Sequence, residues 1–434
     1  MTPRHKRLAR WTVTGVLAST VAAITVFPGG STGRPDAAAE AAIARDGSGP
    51  AATMTRAAQA TSADAKALRA TLRRTLRRAG PASGAWVYDA SDKRVLFALR
   101  ENGRRSLASN TKLFTAATAL RRLGAQRKLE TEVVGDGSLR ADGTFDGDLY
   151  LHGAGDPTLD RAALKRLARQ LREARGIERV TGRVIGDESA FDTRRGTAST
   201  DGATSIEIGA PLSALALAHT TTEQPATLAA RRLDDALEKS GVRIRLSPQD
   251  GLVPAGAKRL AVVHSPTVAR LVHAMLKDSI NLHSEMLAKA IARERGATGT
   301  TRLGIRTITR YAQRLGARPR FADASGLSLS SRASPRSVGK LLDAVRGLPE
   351  FGAFRASLPI AGQDGTLRDR MREGPASGRC QAKTGTRSTV SALSGYCRAR
   401  SGKTIVFSLI MNRIDPRQGK RLEDVMVKAI ARHG

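Results

Sequence analysis

Apolar positions along this chain change period several times, and each change marks an element. Arg4, Lys6, Arg7 and Arg10 precede an apolar stretch from Trp11 to Phe27, which ends at Pro28-Gly29-Gly30. A charged segment followed by an apolar one is the layout of a secretory signal, or of an uncleaved anchor with the same topology, over residues 1–30. Ala37-Ala38-Ala39 offers a small-residue cleavage site further on. Residues 31–64 are Ala, Gly, Ser and Pro with little periodicity, which predicts a linker. Helical spacing begins at Ala65-Leu68-Leu72-Leu76, and Ala85–Tyr88 and Val95–Leu99 then flank Ser91-Asp92 as a strand hairpin. Leu113, Phe114, Ala117, Leu120 and Leu123 recur at three and four, with Gly124 as the stop. Between 128 and 261 short β-type runs such as Glu132-Val133-Val134 and Asp148–Leu151 are separated by Gly and Asp. Helical patterns return after 262, and strand runs at Gln381–Arg398 and Thr404–Met411 precede a last helix. The organisation predicted is an α/β (α+β) domain, residues 65–127 and 262–434, interrupted by a β-rich insert at 128–261.

Composition narrows the function. At 434 residues and 41% hydrophobic, the chain can build a real core. Two cysteines exclude a disulfide-dense scaffold and most structural zinc sites. No H-E-x-x-H, G-x-S-x-G or Walker lysine occurs, so no metal or cofactor is implied. Lys and Arg total 72 against 39 Asp and Glu, a net charge of +33. Nucleic acid is the reflex partner for such a charge. Export and the scarcity of aromatics (9 Phe, 4 Tyr, 2 Trp) argue against it. Anionic wall polymers are the better candidate, and Arg-rich solvated faces are the alternative.

Candidate chemistry sits in three places. Ser109-Asn110-Thr111-Lys112 opens a helix, so Lys112 lies one turn on from Ser109 and on the same face. A serine hydroxyl becomes a nucleophile when a base takes its proton, and a lysine of lowered pKa can do so. The competing role for Ser109 is an ordinary helix cap. Ser337–Lys340 matches the same S-x-x-K pattern. Ser279-Ile280-Asn281 precedes a helical run and supplies a second hydroxyl and an amide, again with a cap as the alternative. Lys383-Thr384-Gly385-Thr386 lies on a β-type run, where a strand edge can hold a peptide alongside and its Lys and Thr a carboxylate. There the alternative is a solvated hairpin. S-x-x-K, then S-x-N, then K-T-G is the order found in penicillin-binding proteins and class A β-lactamases, and Ser337 fails it.

With these motifs in order, the chain resembles the low-molecular-mass class C penicillin-binding proteins, D-alanyl-D-alanine carboxypeptidases and endopeptidases. Further matches are Gly155-Asp156-Pro157-Thr158-Leu159, Val180–Asp187, Asp323-Ala324-Ser325-Gly326-Leu327 and Leu358–Leu367. The resemblance runs from about 65 to 430 and implies a serine β-lactamase/transpeptidase-like fold with an inserted domain. It implies that Ser109 is acylated by peptidoglycan stem peptides ending in D-Ala-D-Ala, with Lys112 as base and Ser279 as proton relay. Asn281 would bind substrate, and Lys383, with Thr384, Gly385 and Thr386 on the same strand, would receive its terminal carboxylate. Lys383 would also depress the pKa of Lys112. The oxyanion hole would be the N–H groups of Ser109 and Thr386. Asp156 would receive a cationic stem-peptide side chain, or else serve as a turn residue before Pro157. β-Lactams would inhibit. Ile280 departs from the Asp frequent in the family.

Cys380 and Cys397 lie symmetrically about a hairpin turn near Ser388-Thr389, which predicts a cross-strand disulfide in an exported protein. The expected setting is extracytoplasmic, with membrane contact only through the N-terminal segment. A β-lactamase and a non-catalytic wall-binding module are the competing functions. No E-x-x-L-N segment follows Ser279 to supply a class A deacylating Glu.

Overall fold

The structure, a computed structural model, describes residues 50–294 and 296–434, and the expected signal and its cleavage site lie outside them. Helix α1 (Pro50–Arg78) leads into the hairpin β1 (Ser83–Asp89) and β2 (Arg94–Leu99), then helix α2 (Lys112–Arg122). The insert follows with β3 (Glu130–Gly135), β4 (Leu149–Gly153), α3 (Arg161–Arg169), β5 (Val184–Asp187), α4 (Pro225–Lys239) and β6 (Lys258–His264). Helices α5 (Val268–Lys277), α6 (Asn281–Arg293), α7 (Thr301–Arg314) and α8 (Pro335–Val345) come next. Strands β7 (Cys380–Arg387), β8 (Val390–Arg398) and β9 (Thr404–Asn412) and helix α9 (Pro416–His433) end the chain.

One antiparallel sheet, ordered β7-β8-β9-β1-β2, joins the two ends of the sequence through the β9–β1 pair. β9 is buried on both faces, so Ile405, Phe407, Leu409 and Met411 point one way and Val406 and Ile410 the other. The first set packs on α1 and α9 through Leu68, Leu72, Leu76, Met426 and Ile430. The second packs on helices of the opposite layer through Leu113, Phe114, Met286 and Leu341. β7 is an edge strand, and the sheet therefore presents the K-T-G segment on a free side.

The insert has its own core, in which Val133, Leu151 and Val184 meet Leu164, Leu167, Leu233 and Leu237. Two points differ from the sequence reading. The insert is less purely β than predicted, because α3 buries a stripe of Ala and Leu at helical spacing within basic surroundings. Helix α1 begins at Pro50, inside the expected linker, where Ala and basic residues of high helix propensity outweigh the lack of periodicity. In addition, Phe191, Ile208 and Leu212 of the insert pack into the core beside α2 and α6, so the segment around 190–216 returns to the main domain. Among the described residues, no helix is long and apolar enough to cross a membrane.

Candidate active site

Ser109 sits on a 3₁₀ turn, Ala108–Thr111, that runs straight into α2. The turn is wedged behind the β7 edge strand. Asn110 Nδ2 donates to the Lys383 carbonyl at 3.0 Å, and a Cβ on Gly385 would lie 2.6 Å from the Leu107 carbonyl. Gly385 therefore lets the strand approach the turn that carries Ser109 from behind. Gly326 does the same from the other side, where a Cβ would lie 1.8 Å from the Ala108 carbonyl. Ala108 is held at φ +45°, a left-handed conformation costly for a residue with a Cβ, so the surrounding packing dictates it. Ser109 makes no capping bond, which removes its alternative role.

Lys112, fully buried, reaches back to Ser109, with Nζ 3.1 Å from Oγ. It also donates to Asn281 Oδ1 at 2.7 Å and to the Ser325 carbonyl at 2.8 Å. Burial lowers its pKa to about 7, partly opposed by the carboxylates of Glu285 and Asp323 and aided by Arg387. Lys383 is equally buried and donates to Ser279 Oγ and to the Thr384 carbonyl, each at 3.0 Å. Burial first, then repulsion from Lys112, pushes the Lys383 ammonium well below its usual range. Burial is thus the first cause at both lysines, and the repulsion between them acts on each.

Ser279 adopts φ +63°, immediately before α6, and this turns its hydroxyl to Lys383. Asn281, the first residue of α6, uses both ends of its amide: Oδ1 accepts from Lys112, and Nδ2 donates to the Glu207 carbonyl at 2.7 Å. Two Ser–Lys pairs therefore face each other across one cleft of about 190 Å³. Its lining brings together Ser109, Ser279, Thr384 and Thr386 with three residues to which sequence reasoning gave no role: Thr366, Arg370 and Lys420. Thr366 Oγ1 lies 2.8 Å from Thr384 Oγ1. Arg370 is fixed by Glu423 at 2.9 Å and Asp424 at 2.6 Å.

A second omission lies beneath Lys112. Glu285, one turn along α6 from Asn281, is fully buried and accepts the N–H groups of Ala324 (3.1 Å) and Ser325 (2.7 Å). Asp323 accepts from Gly326 and Ser331. These carboxylates hold the 323–326 turn whose carbonyl receives Lys112. Burial, reinforced by Asp323, raises Glu285 to about 7. The signal in the sequence was a lone Glu among Leu282, Met286 and Leu287 on a helix without a polar face.

Asp156 is placed differently from the substrate-binding role considered for it. It is buried in its own turn, Oδ1 accepting the backbone N–H (2.8 Å) and hydroxyl (2.7 Å) of Thr158, and it is not among the residues lining the cleft. Ser337 accepts the Arg318 N–H outside the cleft. Cys380 and Cys397 are register partners across β7 and β8 and form a disulfide, with Cα atoms 4.0 Å apart.

A hydroxyl against a desolvated lysine, a second Ser–Lys pair opposite, and a K-T-G edge strand mark the class as a serine enzyme with a transpeptidase-like fold. The chain belongs to the D-Ala-D-Ala carboxypeptidase 3 (S13) family, whose profile matches residues 65–221 and 211–433. It is 30% identical over 405 residues to a D-alanyl-D-alanine carboxypeptidase of an Actinomadura species, covering 73% of this chain and 75% of that one. A carboxypeptidase of Mycobacterium tuberculosis is 30% identical over 355 residues, 74% of each chain. In fold it is similar to penicillin binding protein 4 of Haemophilus influenzae, with a TM-score of 0.73 at 19% identity, covering 83% of this chain and 99% of that one.

Proposed function

We propose that this D-Ala-D-Ala carboxypeptidase works through an acyl-enzyme on Ser109, formed with peptidoglycan stem peptides. The observation that carries this reading is Lys112 Nζ at 3.1 Å from Ser109 Oγ, with its pKa lowered to about 7 so that free base is available near neutrality. Lys112 takes the Ser109 proton as Oγ attacks the penultimate D-Ala carbonyl carbon. The C–N bond then breaks, and the departing D-Ala amine receives the proton that Lys112 took up, relayed through Ser279, which returns Lys112 to its free base. Water hydrolyses the ester in a second half-reaction, with Lys112 again as base. The backbone N–H groups of Ser109 and Thr386 are the proposed donors to the oxyanion.

Lys383, Thr384 and Thr386 are suited to the terminal carboxylate. A bound carboxylate would restore the Lys383 ammonium by giving it a counter-charge. Arg370 and Lys420 add positive potential on the same wall. The amide of Asn281 is already engaged by Lys112, so its first role is to orient that base. β-Lactams would acylate the same hydroxyl, and cutting a cross-link would begin with the same acyl-enzyme. The site works outside the cytoplasm, delivered by the N-terminal segment. The test is release of free D-alanine from a peptide ending in D-Ala-D-Ala. Wild type should release it, and Lys112→Ala should lose about a hundredfold or more in kcat. Equal rates in the two proteins would contradict the assignment.

A further inference from the structure

Helix α7 carries Arg302, Arg306, Arg310 and Arg314, four residues apart and all exposed. Positions at that spacing share one face, with a rise of about 6 Å between them. A row of like charges opposes helix formation unless something anionic lies along it. The end of the helix also borders a groove of about 930 Å³. Gln313 and Gly316, at the end of α7, line this groove beside Arg104, Arg318, Arg336 and Lys340, and no carboxylate lines it. Arg310 and Arg314 meanwhile line a recess of about 250 Å³ together with Arg122 and Tyr311. Ser334 caps α8 at the groove, so the positive end of that helix adds to the field.

Among the described residues, none of the four α7 arginines and none of the four groove cations has a carboxylate within 4.0 Å. Neighbouring Arg121 and Arg346, by contrast, are paired with Glu350 and Asp343. Glu101, whose carbonyl accepts the Arg336 N–H, gives its carboxylate to Asn102. The groove shares no lining residue with the catalytic cleft.

We propose that this track binds a linear phosphodiester polymer of the cell wall. An open row of guanidinium groups beside a groove fits an extended polyanion better than an enclosed small molecule. Tyr311 is the one aromatic lining either recess, so base stacking is not provided for and nucleic acid is disfavoured. The choice of a wall polymer rests on the extracytoplasmic function proposed above. The whole chain is basic, so the test must separate a local track from bulk charge. Arg73, Arg74 and Arg77, exposed on α1, supply the control.

Binding of the full chain to immobilised poly(glycerol phosphate) is measured for wild type and three triple variants of equal charge change. These are Arg306→Gln/Arg310→Gln/Arg314→Gln, Arg318→Gln/Arg336→Gln/Lys340→Gln, and Arg73→Gln/Arg74→Gln/Arg77→Gln. Wild-type binding should weaken steeply with salt. Each track variant should lose about tenfold or more in affinity and the α1 variant less than about twofold. Equal losses in all three would show bulk charge only and overturn the proposal, as would no binding by wild type at physiological salt. Tighter binding to single-stranded DNA of matched charge would reassign the surface to nucleic acid. Penicillin labelling of each variant, read by intact mass, checks folding independently. Labelled protein that ignores the polymer overturns the track alone, whereas polymer binding without labelling overturns the catalytic proposal alone.

Discussion

The base proposed for this site is set by what surrounds a single nitrogen. Lys112 is held by Asn281, the Ser325 carbonyl and Ser109, and its pKa near 7 comes chiefly from burial. Its free base is the reactive form, so the rate of acylation by penicillin should rise with pH through about 7 and level off above it. Ionised Glu285 favours the ammonium. Glu285→Gln removes that charge while keeping an oxygen for the two N–H groups, so its midpoint should fall to lower pH. Glu285→Ala leaves both buried donors bare, at about 1–3 kcal/mol each, and should lower Tm as well. A folded Glu285→Gln protein with an unchanged midpoint would contradict this role. Ser109, Lys112, Ser279, Asn281 and Lys383 were legible because chemistry-bearing residues stand in a fixed order along the chain. Glu285 and Arg370 were not, because a charged residue reads as solvated until the fold shows it buried.

At the scale of elements, the site depends on how closely an edge strand and a turn approach. β7 can press on the Ala108–Thr111 turn only because residue 385 lacks a side chain. Gly385→Ala should therefore push strand and turn apart and slow acylation about tenfold to a hundredfold. The β7–β8 register, braced by Cys380 and Cys397, should keep the fold largely intact. Stopped-flow labelling with a fluorescent penicillin beside a melting curve checks this, and an unchanged rate would refute it. The space beside residue 385 is taken by Leu107, Ala108 and Asn110 of the turn that carries Ser109. The hairpins, α2 and the cysteine pairing were predicted because their apolar periods are unbroken or their spacing is symmetric. Helix α3 and the start of α1, before residue 65, were missed because basic residues dilute the first and small residues mask the period of the second.

Across the described residues, the two ends of the main domain share one sheet and the insert reaches the cleft at Asn281. The β9–β1 pair closes the sheet from opposite termini of the domain, and the returning insert segment fastens onto α6. Buried Lys289 donates there to the Arg194 and Leu212 carbonyls, at 2.8 and 2.6 Å, and pairs with Asp192 at 2.7 Å. The Glu207 carbonyl of the same segment accepts from Asn281, so the insert helps to set the amide that faces Lys112. None of these long-range pairings has a local sequence pattern, which is why the insert appeared as a separate body in the sequence. Ser109 is proposed as the acylated nucleophile, and intact mass after brief incubation with benzylpenicillin reads that acylation without a coupled assay. Wild type should gain one persistent drug mass and Ser109→Ala none, with the remaining drug intact. A labelled Ser109→Ala protein, or an unlabelled wild type, would contradict the account.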